Sequence, residues 1–191
     1  MAALVIGLGN PGGEYSNTRH NIGWMCLDEL SRRGKFGRER REGQARVREG
    51  SVEGYDIVLA RPQTFMNLSG KAAVPLVRKF GVPVEDLIVV HDEIDLPFGR
   101  LRLKRGGGSG GNNGVKSLTA SLQSPEFMRV RIGVGRPPEG SDAVDHVLST
   151  FGRDERERLP SVLQRAADAV LSLIRAGLEP SMTEFNRAAD G

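Results

Sequence analysis

Three short apolar runs, each followed by a polar loop, constrain the fold of this chain more than any other feature. The runs span residues 2–7, 55–60 and 87–90, and the loops that follow them span 8–20, 62–70 and 91–99. Short apolar runs bounded by turn residues predict buried strands. The intervening segments show helical spacing, as in Ile22, Met25, Cys26 and Leu30, and the predicted N-cap of that helix is Asn17 or Thr18. Alternating strands and helices predict an α/β/α sandwich.

The length and composition favour one globular domain over residues 1–191. The chain is 38% hydrophobic and 27% charged, and a chain of 191 residues can bury a core without disulfides or metal. Its last third has no strand pattern and predicts helices near 142–149, 153–176 and 180–188. We expect these C-terminal helices, about 142–188, to cover the functional cleft.

Cysteine content and hydropathy predict a cytoplasmic protein without membrane association. The single cysteine, Cys26, excludes an intrachain disulfide, and a reducing compartment fits this. No apolar window reaches the roughly 18 residues of a membrane span, and the first residues lack the basic region of a signal peptide. The net charge of +3 permits an anionic partner.

The opening loop contains the pattern G-x-G-x-x-G in GLGNPG, residues 7–12. A dinucleotide site also needs a helix that begins at the loop and an acidic residue at the end of a second strand. Here polar turn residues follow the glycines, and Asp28 and Glu29 fall inside a helical pattern. A nucleotide-binding oxidoreductase is therefore disfavoured. The second glycine-rich loop, GGGSGGNNG, is not a Walker loop because no G-K-[ST] follows.

The loops instead carry one histidine, an acid and several amides. Because ligands gather at the carboxyl ends of strands in open α/β sheets, these side chains are expected to meet. The sequence has no G-x-S-x-G nucleophile elbow and no histidines at metal-ligand spacing. A histidine that activates water beside a carboxylate and amide donors fits the remaining set. Each residue also has an ordinary structural explanation, such as capping a turn.

Four long segments in fixed order resemble the bacterial-type peptidyl-tRNA hydrolase family. They read VIGLGNPGGEYSNTRHNIG, PQTFMNLSGKA, VVHDEIDLPFGRLRLKRGGGSGGNNG and FMRVRIGVGRP. The resemblance covers nearly the whole chain. It implies a phosphorylase/hydrolase-like fold with a mixed, mostly parallel central sheet between helices. It also implies a monomer without cofactor or metal that cleaves the ester between a peptide and the tRNA 3′-terminal ribose, and so recycles tRNA.

Three residues match the family's reaction centre. His20 in NTRHNIG matches the general base, and Asp92 in HDEID matches the carboxylate that holds this base. Asn10 in GNPG matches the residue that checks whether the amino group is acylated.

Other positions match the family's substrate contacts, which the resemblance places on the acceptor stem and the 3′ CCA end of peptidyl-tRNA. Asn67 and Asn113 match amides near the scissile bond. Tyr15, Phe65 and Met66 match positions that line the cleft. Lys104 and Arg131 match the basic pair that contacts the 5′-phosphate of the tRNA.

Two features differ from the family pattern or are less specific. Ser109 and Asn112 stand where the family's glycine-rich loop often has histidines, and we expect them at the cleft rim, tuning tRNA contact or loop mobility. Residues 142–150 are expected to form a lid.

The alternative function is RNA binding without turnover, as in plant relatives used in intron splicing. The complete set of His20, Asp92 and the three asparagines favours an enzyme.

Overall fold

The computed structural model describes residues 1–187, which form eight β-strands and six α-helices. The strands are β1 (Ala3–Gly7), β2 (Lys35–Phe36), β3 (Arg40–Glu42), β4 (Ala45–Val52), β5 (Tyr55–Pro62), β6 (Ile88–Glu93), β7 (Leu101–Arg105) and β8 (Met128–Gly133). The helices are α1 (Ile22–Arg33), α2 (Ser69–Phe80), α3 (Asn113–Leu122), α4 (Ala143–Val147), α5 (Arg153–Ala176) and α6 (Leu178–Phe185). None of these helices combines the length and apolar character needed to cross a membrane. The predicted end of the last helix, at 188, lies outside the described residues.

All eight strands join one mixed sheet with the order β2-β4-β5-β1-β6-β8-β7, and β3 pairs with β4. The central strands β5, β1, β6 and β8 are parallel, whereas the outer pairs β4–β5 and β7–β8 are antiparallel. The carboxyl ends of β1, β5, β6 and β8 therefore share one edge of the sheet. The predicted mixed α/β fold is confirmed, with parallel pairing concentrated at its centre.

Each face of the sheet buries a separate apolar core. On one face, Val5 and Val90 pack in a cluster with residues of α1 and α5, such as Leu30. On the other face, Ile6 and Val89 share a cluster with residues of α2 and α3. Successive strand residues point to opposite faces, so the apolar runs of β1 and β6 supply both cores.

Two glycines, Gly9 in the opening loop and Gly23 in α1, allow α1 to lie directly against the strand ends. A Cβ atom on Gly23 would lie 2.5 Å from the carbonyl oxygen of Val90 and 2.7 Å from that of Leu8. A Cβ on Gly9 would lie 2.8 Å from Nε1 of Trp24. Because α1 begins only at Ile22, well after the end of β1, the glycine loop does not open a helix as a dinucleotide fingerprint requires.

Two local predictions need correction. The loop predicted at 91–99 begins later, because β6 stays buried and pairs with β8 as far as Glu93 and Gly133. His91 and Asp92 therefore belong to the strand. The predicted cap of α1 at Asn17 or Thr18 is wrong, since an intervening 3-10 turn, Arg19–Asn21, makes Asn21 the N-cap.

Candidate active site

A cleft of about 300 Å³ lies at the carboxyl edge of the parallel strands. Its polar lining combines the histidine, the acid and the amides singled out in the sequence. These residues are Asn10, His20, Asn67, Asp92, Asn112 and Asn113. An apolar wall faces them, formed by Phe65 and Met66 and by Val144 and Leu148 at α4. The structure thus gathers in one cleft the five polar residues that the sequence predicts there, together with Asn112.

The imidazole of His20 contacts the carboxylate of Asp92, with 2.7 Å between Nδ1 and Oδ2. His20 lies in the 3-10 turn before α1, and the close approach of α1 to β6 brings this turn to the end of the strand. Only 11% of the His20 side chain and 2% of the Asp92 side chain are exposed. Since the carboxylate accepts, Nδ1–H donates, and Nε2 is left as the basic nitrogen.

Two opposing effects act on the pKa of His20. Burial lowers it because the imidazolium loses hydration, whereas the charge of Asp92 and its hydrogen bond raise it. The net pKa is raised above the ordinary value of 6.5. The Asp92 carboxylate therefore makes the imidazole a stronger base than burial alone would allow.

The second carboxylate oxygen of Asp92 binds Asn112. Asn112 Nδ2 donates to Asp92 Oδ1 at 3.0 Å, and Asn112 Oδ1 accepts from the backbone N–H groups of Gly114 and Val115 at 3.0 and 3.1 Å. Asn112 is thus the N-cap of α3 and also contacts the candidate catalytic carboxylate of Asp92. The sequence places it only at the rim, although an asparagine before a helical pattern is an N-cap signal.

Asn10 is held from two directions. Its Oδ1 accepts from the backbone N–H of Met66 at 2.7 Å, and its main chain exchanges two hydrogen bonds with the side chain of Asn21, at 2.9 and 3.0 Å. Asn10 is buried, with 7% exposure, yet lines the cleft. Asn21, which the sequence did not single out, therefore fixes Asn10 next to the turn that carries His20.

The other predicted cleft residues lie at the mouth. Asn67 and Asn113 are exposed, and Phe65 is 57% exposed. Tyr15 does not line the cavity itself but packs edge-on against Phe65, with 6.4 Å between ring centroids. Met66 is buried beneath them. The mouth thus offers amide groups beside aromatic and apolar surface.

Lys104 and Arg131 lie outside the cleft, on the neighbouring strands β7 and β8. Arg129 is directly opposite Lys104 in the register, so the three cations share one sheet face. The pKa of Lys104 is lowered by partial burial and by repulsion from Arg131 and Arg129. Glu93, which lines the cleft, lies 3.5 Å from Arg131. The basic cluster, Lys104, Arg129 and Arg131, therefore adjoins the cleft through Glu93.

Arg129 anchors the glycine-rich loop from below. It is 1% exposed and donates to the carbonyl oxygens of Gly107 and Gly108 at 3.0 and 2.6 Å, while its guanidinium lies 4.6 Å from the Phe127 ring centroid. Burial, followed by repulsion from Arg131, lowers its pKa. The loop is therefore tied to the sheet at its start.

The other two histidines have structural contacts. His91 donates from Nδ1 to the carbonyl oxygen of Asp92 at 2.7 Å, and burial lowers its pKa to about 4, so it is neutral. His146 of α4 contacts the carbonyl oxygen of Gly135 at 2.9 Å through Nε2. Within residues 1–187, no group of three or more His, Cys, Asp or Glu residues could hold a metal ion.

A histidine paired with a buried carboxylate, in an amide-lined cleft on an α/β sandwich, is a set of groups chemically suited to a hydrolase. The family model for peptidyl-tRNA hydrolase matches residues 4–190. The peptidyl-tRNA hydrolase of Nocardia farcinica is 46% identical over 186 residues, 96% of each chain, and that of Mycobacterium marinum is 49% identical over 185 residues, again 96% of each. The crystal structure of peptidyl-tRNA hydrolase from Acinetobacter baumannii superposes with a TM-score of 0.89 at 33% identity, covering 97% of this chain and 94% of that one.

The chain belongs to the peptidyl-tRNA hydrolase family. This membership confirms the family, the fold class and the class of enzyme, a carboxylic ester hydrolase, that the sequence predicts.

Proposed function

We propose that the chain hydrolyses the ester between a peptide or N-acyl-aminoacyl group and the tRNA 3′-terminal ribose, with His20 as general base and Asp92 as the residue that orients it. The observation that carries this proposal is the 2.7 Å contact between the buried Asp92 carboxylate and His20 at the cleft. Turnover of this kind recycles tRNA from peptidyl-tRNA released early from the ribosome. We place it in the cytoplasm and expect a monomer.

The reaction follows from the basic nitrogen of His20. Nε2 removes a proton from water, and the hydroxide oxygen bonds to the ester carbonyl carbon. When the intermediate collapses, the carbon–oxygen bond to the ribose breaks, and the ribose oxygen takes the proton from Nε2. Asp92 stays a carboxylate and stabilises the imidazolium that forms in between. The products are the peptide acid and tRNA with a free 3′ hydroxyl.

The amides would recognise the substrate independently of its peptide sequence. One lone pair of Asn10 Oδ1 is already used by the Met66 N–H, so Nδ2 is the free donor of that amide. A peptide carbonyl can accept from it, whereas the ammonium group of an unacylated aminoacyl-tRNA has only donors. This difference accounts for the proposed role of Asn10. Asn67 and Asn113, exposed at the mouth, would bind near the scissile bond.

The tRNA itself would bind across the basic cluster. Lys104 forms no ion pair with another residue in the described part of the chain, and its cationic neighbours repel it. A phosphate placed between Lys104 and Arg131 would relieve this repulsion. Because phosphate contacts carry little sequence information, many tRNAs would be accepted.

The test is release of tRNA from N-acetyl-aminoacyl-tRNA by the wild type, by His20→Ala and by a control, Asp56→Asn, which removes a carboxylate at the opposite end of the sheet. We expect turnover in the wild type and control, and its loss in His20→Ala. Turnover by His20→Ala would remove His20 from the mechanism. Binding of tRNA without turnover by the wild type would support the RNA-binding alternative.

A further inference from the structure

The orientation of the Asn112 amide is fixed by its own helix. Two backbone N–H groups, of Gly114 and Val115, point at one end of the amide, so this end must be the oxygen. A flipped amide would set its NH₂ group against two donors and its oxygen against a carboxylate. Nδ2 is therefore compelled to donate to Asp92 Oδ1, at 3.0 Å.

Both oxygens of the Asp92 carboxylate are consequently held, Oδ2 by His20 and Oδ1 by Asn112. With 3% exposure, Asp92 has little access to water that could replace either contact. Rotation of the carboxylate would break both bonds together. Asn112 thus fixes the plane in which Asp92 meets the imidazole.

The position of Asn112 is itself set by the glycine-rich loop. Its backbone N–H closes a turn onto the carbonyl oxygen of Ser109 at 3.0 Å, and Arg129 holds the start of the loop through Gly107 and Gly108. Gly110 and Gly111 have φ values of 58° and 81°, which allow the chain to reverse into α3. The amide is therefore presented from a tethered turn.

We propose that Asn112 is a positioning residue of the hydrolytic reaction: it holds the Asp92 carboxylate in the orientation that orders His20, and its helix cap supports this contact. This inference rests on the proposed roles of His20 and Asp92. Unlike a histidine at this position, an asparagine amide carries no charge at any working pH, so its hydrogen bond to Asp92 is not lost or gained by titration of residue 112.

The variant Asn112→Asp separates positioning from capping. Aspartate caps a helix as well as asparagine does, so α3 keeps its cap. The donor to Asp92 is lost, however, and a second carboxylate takes its place. We expect kcat to fall roughly tenfold, because a charge-assisted hydrogen bond is replaced by repulsion. The acid limb of the pH profile should move up by about one unit, since added negative charge stabilises the His20 imidazolium.

The other charged and titratable groups around His20 and Asp92 are the same in the wild type and in Asn112→Asp. They are His91, which bonds to the Asp92 carbonyl oxygen, Glu93 with Arg131, Arg19 with Glu155, and His146 of α4. Asn112→Ser is the second variant, because serine also caps helices but lacks the amide donor. We expect a smaller fall in kcat and an unchanged KM. Thr119→Ala, in α3 and outside the cleft lining, is the control and should resemble the wild type.

The readouts are kcat and KM for N-acetyl-aminoacyl-tRNA from pH 5 to 9, with thermal melting of each variant. Wild-type kcat and an unmoved acid limb in Asn112→Asp would overturn the positioning role and leave only a helix cap. A change confined to KM would also overturn it. Turnover by His20→Ala would instead refute the proposed function, so the two failures are distinguishable.

Discussion

Replacing Gly23 with alanine should damage stability and catalysis together. The new Cβ would lie 2.5 Å from the Val90 carbonyl oxygen and 2.7 Å from that of Leu8, and both are backbone atoms of the sheet region. Real Cβ contacts stay beyond about 3.0 Å, so α1 must move away by roughly 0.5 Å. His20 precedes this helix and would move with it relative to Asp92.

Both effects have an expected size. Overpacking of this kind costs about 1–3 kcal/mol, which lowers the melting temperature by roughly 2–12 °C in a chain of this length. A displacement of half an ångström at the His20–Asp92 contact should lower kcat by roughly tenfold, since a misplacement of about 1 Å can cost a hundredfold. Substrate affinity should change much less.

The matched control is Gly13→Ala, in the loop that precedes α1. A Cβ on Gly13 meets nothing within 4 Å, so its melting temperature and kcat should stay close to those of the wild type. Thermal melting and tRNA release are measured on all three proteins. If Gly23→Ala melts and turns over like Gly13→Ala, the helix is not held against the strands as the contacts indicate, and the link between this glycine and the site is refuted.

Three further predictions concern single side chains. Asp92→Asn should lower kcat by at least roughly a hundredfold. The acid limb of its remaining pH–rate profile should shift to lower pH, because burial then lowers the pKa of His20 without the opposing carboxylate, and an unmoved limb would contradict this. Lys104→Ala should reduce the slope of log K for tRNA against log salt by about one, whereas Arg175→Ala, at the far end of the sheet, should leave it unchanged; equal slopes would remove Lys104 from the tRNA contact. Cys26 should resist alkylation at pH 8 in the folded protein, because burial raises the pKa of its thiol to about 12. Alkylation is measured by mass spectrometry, and rapid labelling would contradict this prediction by showing that α1 opens.

The sequence predicted the alternation of elements and the edge of the sheet where the polar residues meet. It succeeded because strand and helix periodicities are local, and because the carboxyl ends of parallel strands must share an edge. The individual roles of the opening glycines could not be predicted in this way. The pattern G-x-G-x-x-G does not tell whether a glycine bends the chain, admits a phosphate or accepts a helix. Only Gly12 of the three has a positive φ, at 114°, while Gly9 instead makes room for Trp24.

Two contacts between distant segments, those of Asn112 and Arg129, could not be predicted from the sequence. Asn112 has a local role, the cap of α3, and a remote one, the contact with Asp92. Only the first has a sequence signal. Likewise, Arg129 alternates with apolar residues like any half-buried strand residue, yet it is buried against loop carbonyl oxygens. Which carbonyl groups a loop turns inward depends on the packed structure, so an anchor of this kind has no local sequence signal.

One rigid strand connects the reaction centre to the basic cluster. Asp92 and Glu93 are consecutive in β6 and point to opposite faces, so Asp92 meets His20 while Glu93 lies 3.5 Å from Arg131. All six residues of β6 are buried between β1 and β8, which leaves the strand little freedom to shift. A tRNA phosphate bound at the cluster would therefore be held at a fixed distance from the basic nitrogen of His20. In this arrangement, binding energy from the tRNA would go into placing the ester against the base, which is how remote contacts come to raise kcat as well as affinity.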